Sequence, residues 1–253
     1  MPDAQPLAPD EVRAVEERAF NAWPALETRL VDGWLLRFSG GYTKRANSIN
    51  AWAPTRPLAD VIGHAERLYL DRGLPPIVRL TPLAGDAADT LLASRGYARL
   101  DETIVMTAPL ASLAAQADPN VTIFPKPPTD WLDGFAAANA VPIAARPLHD
   151  AIVTRIAGPV AFARLDGPDA PFAWGLAAIE RGMVGLFDIV TASSARRRGA
   201  ARRLVGHMLH WAASNTATAA YLQVLASNEP AIALYRSFGF QPAYRYHYRI
   251  ATR

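Results

Sequence analysis

A chain of 253 residues, 51% of them hydrophobic and 19% charged, can bury a core large enough to offset its ordering entropy without metals or covalent staples, and its length suits two domains of modest size. The absence of cysteine removes disulfides, thiolate metal sites and cysteine nucleophiles. No basic leader with an apolar stretch opens the sequence and no apolar run reaches membrane-spanning length, so a cytoplasmic protein is expected. The formal charge is +3, but the arginines concentrate between 196 and 203, which suits a compact anionic ligand better than a nucleic-acid polymer.

Residues 10–23 place Val12, Val15, Ala19 and Phe20 at helical spacing behind an acidic first turn and predict an amphipathic helix. Two strands are expected at 33–38 and 46–53, parted by Ser39-Gly40-Gly41, which supplies the backbone freedom of a turn. Pro57 introduces a helix over 58–71, and Gly73-Leu74-Pro75-Pro76 breaks the pattern before a strand at 77–80, a helix at 86–94 and a strand at 102–108. The alanine-rich polar stretch that follows has no strong period and reads as a linker. The domains are therefore placed at 1–110 and 121–253, with the linker at 111–120.

Beyond the linker the pattern gives a strand at 121–124, helices at 129–138 and 147–157, and strands at 160–165, 172–180 and 183–190. These three strands are short and turn-linked, so adjacent antiparallel pairing is expected. A helix over 198–213 carries Ala201, Leu204, Val205, Met208, Leu209 and Ala212 on one face. A strand at 220–225, a helix at 229–238 and a strand at 244–250 close the chain. Superimposing Gly96-Tyr97 on Gly239-Phe240 brings Ala88 onto Ala231 and Leu91 onto Leu234, within the same order of strand, helix, Gly-aromatic and strand. That points to an internal repeat.

The strongest chemical signal is the apolar strand Leu186-Phe187-Asp188-Ile189-Val190, then a short polar loop, then Arg196-Arg197-Arg198-Gly199-Ala200-Ala201 opening a helix. Unpaired N–H groups at a helix start, with the positive end of the dipole behind them, make an anion site, and small residues at 199–201 let a phosphate approach the backbone. Flanking arginines add charge-assisted hydrogen bonds. Taken alone, an arginine-rich helix start is as often a solvated face. A second run, Leu222-Gln223-Val224-Leu225-Ala226-Ser227-Asn228-Glu229-Pro230-Ala231-Ile232-Ala233-Leu234-Tyr235-Arg236-Ser237-Phe238-Gly239-Phe240, supplies a strand, a helix and a Gly-Phe turn.

With both motifs in this order, residues 121–250 resemble the GNAT superfamily of N-acetyltransferases, whose signature Gln/Arg-x-x-Gly-x-Gly/Ala is met by Arg196, Gly199 and Ala201. The second run is similar to the pattern of ribosomal-protein alanine acetyltransferases. The resemblance implies an α/β (α+β) fold, a mixed, mostly antiparallel sheet flanked by helices, in two tandem units. It implies an enzyme that transfers an acetyl group from acetyl-coenzyme A (acetyl-CoA) to a primary amine by direct attack in a ternary complex, without a metal. The amine's identity, whether small molecule, peptide N-terminus or lysine, stays open. Arg196, Arg197, Arg198, Gly199, Ala200, Ala201 and Arg202 would hold the pyrophosphate, while Ile189, Val190 and Thr191 would pair with the pantetheine arm and orient the thioester carbonyl. Asn228 would hydrogen-bond the pantetheine, and the Tyr235 hydroxyl would meet the cofactor and protonate the departing thiolate.

One position departs from that pattern: the alanine acetyltransferases carry a glutamate base where this chain has Gln223, and an amide cannot take a proton. Asp188 is the nearest acidic alternative by sequence, although strand alternation leaves its direction open. Ordered water, or an amine that is already neutral, is the other route. The departure leaves a non-catalytic acyl-CoA-binding sensor as a rival reading, with a basic nucleic-acid module behind it.

The histidines His64, His149, His207, His210 and His247 lack metal-ligand spacing, and structural or surface roles are expected for them. Tyr244, Tyr246 and Tyr248 alternate on the last strand and should share one face, for packing or for lining an acceptor pocket. In the first half, Ala53-Pro54-Thr55-Arg56-Pro57 falls where a phosphate loop would be, and Leu92 stands where the repeat places Tyr235. That half is expected to be degenerate and not to bind CoA. Trp34 and Tyr42-Thr43-Lys44-Arg45 would form an exposed turn or contribute to the acceptor pocket.

Overall fold

The computed structural model describes residues 7–113, 115–168 and 170–252. The chain enters helix α1 (Pro9–Ala22) with Pro9 preset for the first turn and Asp10 and Glu11 at the positive end of the dipole. Strands β1 (Glu27–Val31) and β2 (Trp34–Phe38) form a hairpin turning on Asp32 and Gly33, both at positive φ. Sequence patterning misses β1 because this strand is largely exposed and so shows no apolar alternation. Strand β3 (Ile49–Ala51) is shorter than the expected 46–53, since Lys44–Ala46 closes into a 3-10 turn. Helix α2 (Leu58–Leu70), strand β4 (Ile77–Leu80), helix α3 (Asp86–Ser94) and strand β5 (Ala98–Pro109) follow.

Strand β6 (Val121–Phe124) leads to helices α4 (Thr129–Ala138) and α5 (Arg146–Val153) and strands β7 (Val160–Asp166), β8 (Pro171–Glu180) and β9 (Met183–Thr191). Helix α6 (Ala200–Ser214), strand β10 (Ala219–Leu225), helix α7 (Glu229–Phe238) and strand β11 (Gln241–Ile250) complete the order. Helix α6 begins two residues later than expected because Gly199, at φ +77°, caps it in the left-handed region. Its buried stripe is Ala200, Leu204, Val205, Met208, Leu209 and Ala212, and Ala201 is only half-buried.

These elements divide into two compact units. One holds the described residues up to Val105 with Leu225–Ser227 and the residues from Pro242 onward; the other holds Met106–Val224 with Asn228–Gln241. In the first unit the strand order is β1-β2-β3-β4-β11, antiparallel except for the parallel pair β3–β4. The final strand, which the sequence reading keeps in the second domain, thus belongs to the first, with His247 opposite Leu80 and Ile250 opposite Ile77. A boundary drawn along the chain cannot represent a strand that returns to pair with the opposite half of the sequence.

The first unit is packed on Trp34, Leu36, Ile49, Ile62, Tyr69 and Val78, with Leu92 completely enclosed. Inside it Glu16 and Arg79 form a fully buried ion pair, Tyr244 donates its hydroxyl to Glu16 at 2.5 Å, and the Arg79 guanidinium lies 3.7 Å from the centre of the Tyr246 ring. Tyr244, Tyr246 and Tyr248 are all buried.

In the second unit the order is β6-β7-β8-β9-β10, antiparallel apart from β9–β10, and α4 and α6 pack on its central strands. The 111–120 stretch, Ala114 aside because it lies outside the described residues, is bound rather than free. Gln116 N–H donates to the Gly206 carbonyl at 3.2 Å and Asp118 N–H to His207 Nδ1 at 2.9 Å. Arg203 grips the Asp118 carboxylate at 2.6 and 3.0 Å. Each unit also contains a parallel strand pair followed by a helix that ends on a left-handed glycine, Gly96 or Gly239, and a buried aromatic, Tyr97 or Phe240.

Candidate active site

Strands β9 and β10 run parallel only from Met183 opposite Ala219 to Leu186 opposite Leu222. Just beyond that pair, β9 carries a bulge. Phe187 faces Leu176 and Val190 faces Trp174 on β8, so Asp188 and Ile189 together oppose the single residue Gly175. Asp188 takes up the extra length at φ +49°, a left-handed conformation that aspartate tolerates better than most residues. The bulge bends β9, and the half-buried run Ile189-Val190-Thr191 continues with β8 along one edge and no strand register with β10 along the other.

The turn that follows has Arg197 at φ +61° and Gly199 at φ +77°. The first helical amide to reach back is Arg203 N–H, bonded to the Gly199 carbonyl at 3.1 Å, so the N–H groups of Ala200, Ala201 and Arg202 precede any intrahelical bond. A Cβ built on Gly199 would meet no atom within 4 Å: the turn opens on free space. Arg196, Arg197 and Arg198 are exposed, and among the described residues no carboxylate forms an ion pair with them. Arg198 lies over the Phe172 ring at 5.7 Å. Arg202 donates to Ser237 Oγ at 2.7 Å and covers the Phe238 ring, whereas Arg203 is committed to Asp118. Open amides, a glycine without a neighbour and three guanidinium groups without a carboxylate partner among the described residues fit a diphosphate.

Asn228 is exposed at the start of α7, where its Oδ1 accepts the Ala231 N–H at 3.2 Å, an N-cap that leaves the side-chain amide group available as a donor. Tyr235 is 8% exposed, and burial pushes its hydroxyl up to about 12. It therefore stays protonated at neutral pH, as an acid must, and it has no hydrogen-bond partner among the described residues. Gln223 lies half-buried on β10 one residue past the last pair with β9.

Asp188 is not an open carboxylate. Its Oδ2 lies 2.9 Å from His149 Nε2, and His149 is completely buried, with Nδ1 3.0 Å from Asp150 Oδ1. Burial by itself lowers the basicity of His149, but the hydrogen bonds and charges of Asp188 and Asp150 outweigh it and hold its pKa above the ordinary histidine value. This histidine, for which a structural or surface role is expected, is tied to the strand that carries Ile189-Val190-Thr191. No spacing rule reveals it, because its partner is 39 residues away. His207 and His247 are bonded to Asp118 and Asp89, His64 and His210 are exposed, and no metal-holding cluster occurs among the described residues.

The corresponding loop of the first unit differs in a specific way. The N–H groups of Trp52 and Ala53 donate to the Gly33 carbonyl at 3.1 and 3.0 Å and that of Thr55 to the Asp32 carbonyl at 3.0 Å, while Pro54 and Pro57 have none to give. Apart from that of Arg56, its amides are engaged or missing. Trp34, expected at an exposed turn or pocket, is instead 1% exposed and donates Nε1 to the Arg56 carbonyl at 3.0 Å. The neighbouring Lys44 pairs with Asp101.

Residues 10–249 match the family described as "Probable histone acetyltransferase Rv0428c C-terminal". The chain is 30% identical over 246 residues to an uncharacterized N-acetyltransferase, YobR, of Bacillus subtilis, covering 95% of this chain and 99% of that protein. It is 28% identical over 229 residues to the probable histone acetyltransferase Rv0428c of Mycobacterium tuberculosis, covering 87% of this chain and 68% of that one. In fold it is similar to a GCN5-related N-acetyltransferase from Kribbella flavida, with a TM-score of 0.70, 15% identity, and coverage of 99% of this chain and 97% of that one. No helix among the described residues is long and apolar enough to cross a membrane. The chain belongs to the Rv0428c C-terminal acetyltransferase family and is a GNAT-type N-acetyltransferase.

Proposed function

We propose that the second unit binds acetyl-CoA and transfers its acetyl group directly to a primary amine. The observation that carries this reading is the divergence of β9 from β10 after Leu186 and Leu222, immediately ahead of the open turn at Gly199. Arg196, Arg197, Arg198 and Arg202, with the amides of Gly199, Ala200 and Ala201, hold the diphosphate. The strand end Ile189-Val190-Thr191 receives the pantetheine arm, with Asn228 as a further donor. Main-chain N–H groups near Val190 and Thr191 polarise the thioester carbonyl.

The acceptor nitrogen forms its bond to the acetyl carbon, the carbon–sulfur bond breaks, and the Tyr235 hydroxyl gives its proton to the departing thiolate. The proton lost by the amine leaves by way of water, because Gln223 cannot accept it and the Asp188 carboxylate is engaged by His149. The name of the mycobacterial relative makes a protein lysine one acceptor to try first, alongside peptide N-termini and polyamines. Calorimetric titration with acetyl-CoA, followed by thiol release across a panel of such amines, tests the reading. Saturable binding with turnover on any member supports it; binding without turnover on the whole panel supports a sensor, and no binding rejects the site.

A further inference from the structure

The bulge that directs β9 away from β10 needs Asp188 to remain left-handed, a conformation that is strained for a residue with a side chain. What restrains it is the contact with His149. That ring is completely buried, stacked on Phe135 at 4.7 Å and 14°, and each of its nitrogens meets a carboxylate oxygen, Asp188 Oδ2 at 2.9 Å and Asp150 Oδ1 at 3.0 Å. An ionised carboxylate only accepts, and a neutral imidazole has one N–H. Both contacts are hydrogen bonds only if the ring carries two protons, so the arrangement calls for a buried imidazolium between two carboxylates.

Charge continues outward from it. Asp150 is followed by Arg146, 3.8 Å away on the same helix, and Arg146 in turn pairs with Asp133 of α4. The groups facing the ring include Asp188 from β9, Asp150 from α5 and the apolar Phe135 from α4, with Arg146 and Asp133 behind Asp150. A histidine that merely filled the core would not need a partner on the one residue whose conformation makes the bulge.

We propose that the Asp188–His149 ion pair is a positioning device that locks the bulge of β9 and so aims the run Ile189-Val190-Thr191 at the acetyl donor. This rests on the reading under Proposed function. Asp188 and His149 act through the main chain and not on the reacting atoms. When His149 loses a proton it loses its charge and one of its two donors, so one ring nitrogen is left facing a carboxylate lone pair to lone pair, and the bulge loosens. Because the His149 pKa is held above the ordinary histidine value by Asp188 and Asp150, the ring keeps its charge to higher pH than a free histidine does, and the device weakens as pH rises through the raised value.

The test uses the whole chain and two substitutions. Asp188→Gly removes the carboxylate and the lock while supplying a residue at ease at positive φ, so that a loss reports the missing pair and not backbone strain; His149→Phe keeps the stack on Phe135 and removes both donors. Acetyl-CoA affinity by calorimetry and thiol release are measured from neutral into alkaline pH, with thermal unfolding as the check on folding. Wild type is expected to lose affinity and turnover as pH rises. Asp188→Gly should be folded, about tenfold to a hundredfold slower at neutral pH, the range that a small misplacement can cost, and flat over the interval where wild type falls. If Asp188→Gly matches wild type in affinity, rate and pH profile, the pair is core packing and the proposal fails, whatever His149→Phe does. Nitrogen NMR of the His149 ring in the unliganded protein gives a reading independent of activity. A ring that stays doubly protonated to higher pH than a free histidine supports the pair; one that does not overturns it. Absence of acetyl-CoA binding by wild type would reject the function itself, an outcome distinct from a variant that behaves like its parent.

Discussion

Leu186 and Leu222 are the last residues that β9 and β10 bring opposite each other. Beyond them the parallel register stops, the bulge at Asp188 follows within two residues, and the strand continues to the turn at Gly199. A parallel pair that opens just before a helix start presents a strand edge and a set of helix amides to the same ligand.

Gly199 has a left-handed φ and nothing within 4 Å of where a Cβ would be. Gly199→Val should therefore fold, at a cost of about 1–2 kcal/mol for the backbone conformation, and should place its side chain in the space assigned to the diphosphate. Acetyl-CoA affinity is expected to fall by more than about tenfold. Calorimetry on a variant shown by thermal unfolding to be folded decides this, and undiminished affinity would remove the turn from the site.

The Tyr235 hydroxyl is pushed up to about 12 by burial and has no protein partner among the described residues, so stability does not depend on it. Tyr235→Phe should leave the unfolding midpoint and the affinity for acetyl-CoA near their original values. Turnover should fall by roughly a hundredfold or more, the usual contribution of a positioned acid. An unchanged rate on an accepted amine would show that the thiolate gets its proton elsewhere.

Much of this was legible in the sequence because it is local. The spacing of Leu204, Val205, Met208, Leu209 and Ala212 marks the buried stripe of α6, and Arg196, Gly199 and Ala201 mark the turn ahead of it. The repeat was legible for the same reason: Leu92 and Tyr235 are both buried at matching places on α3 and α7. What escaped was long-range. The placement of β11 beside β4 is a pairing choice that no local pattern encodes. The exposed strand β1 has no alternation to detect, and the contact of His149 with Asp188 depends on a bulge that no residue type announces. Glu16 follows the same logic: it looks like the polar face of α1, yet it is 1% exposed because Arg79 awaits it.

Asn228 raises a question that two substitutions answer together. Its Oδ1 caps α7 through Ala231 N–H, and its side-chain amide nitrogen is the donor assigned to the pantetheine. Asn228→Ala removes both and should cost about 1 kcal/mol of stability as well as affinity. Asn228→Asp keeps the capping oxygen and removes the donor, so its unfolding midpoint should stay near wild type while acetyl-CoA binds less well. Equal affinity for the aspartate variant and wild type would leave Asn228 as a cap alone.

The buried pair of Glu16 and Arg79 makes the largest stability prediction. Both side chains are 1% exposed, Arg79 Nη2 donates to Glu16 Oε1 at 2.9 Å, Tyr244 donates to the same oxygen, and the guanidinium rests on the Tyr246 ring. Glu16→Leu leaves a guanidinium enclosed without a counter-charge and Tyr244 without its acceptor, which should cost about 3–5 kcal/mol. Replacing both partners, Glu16→Leu with Arg79→Met, removes the uncompensated charge and should recover much of that loss, because the pair's mutual attraction is largely offset by the desolvation of its two ions. Thermal unfolding of the two single variants and the double variant gives the coupling directly. A double variant no more stable than the worse single one would mean that the tyrosines on β11 need the charge itself, and that the first unit is organised around the ion pair and not merely tolerant of it.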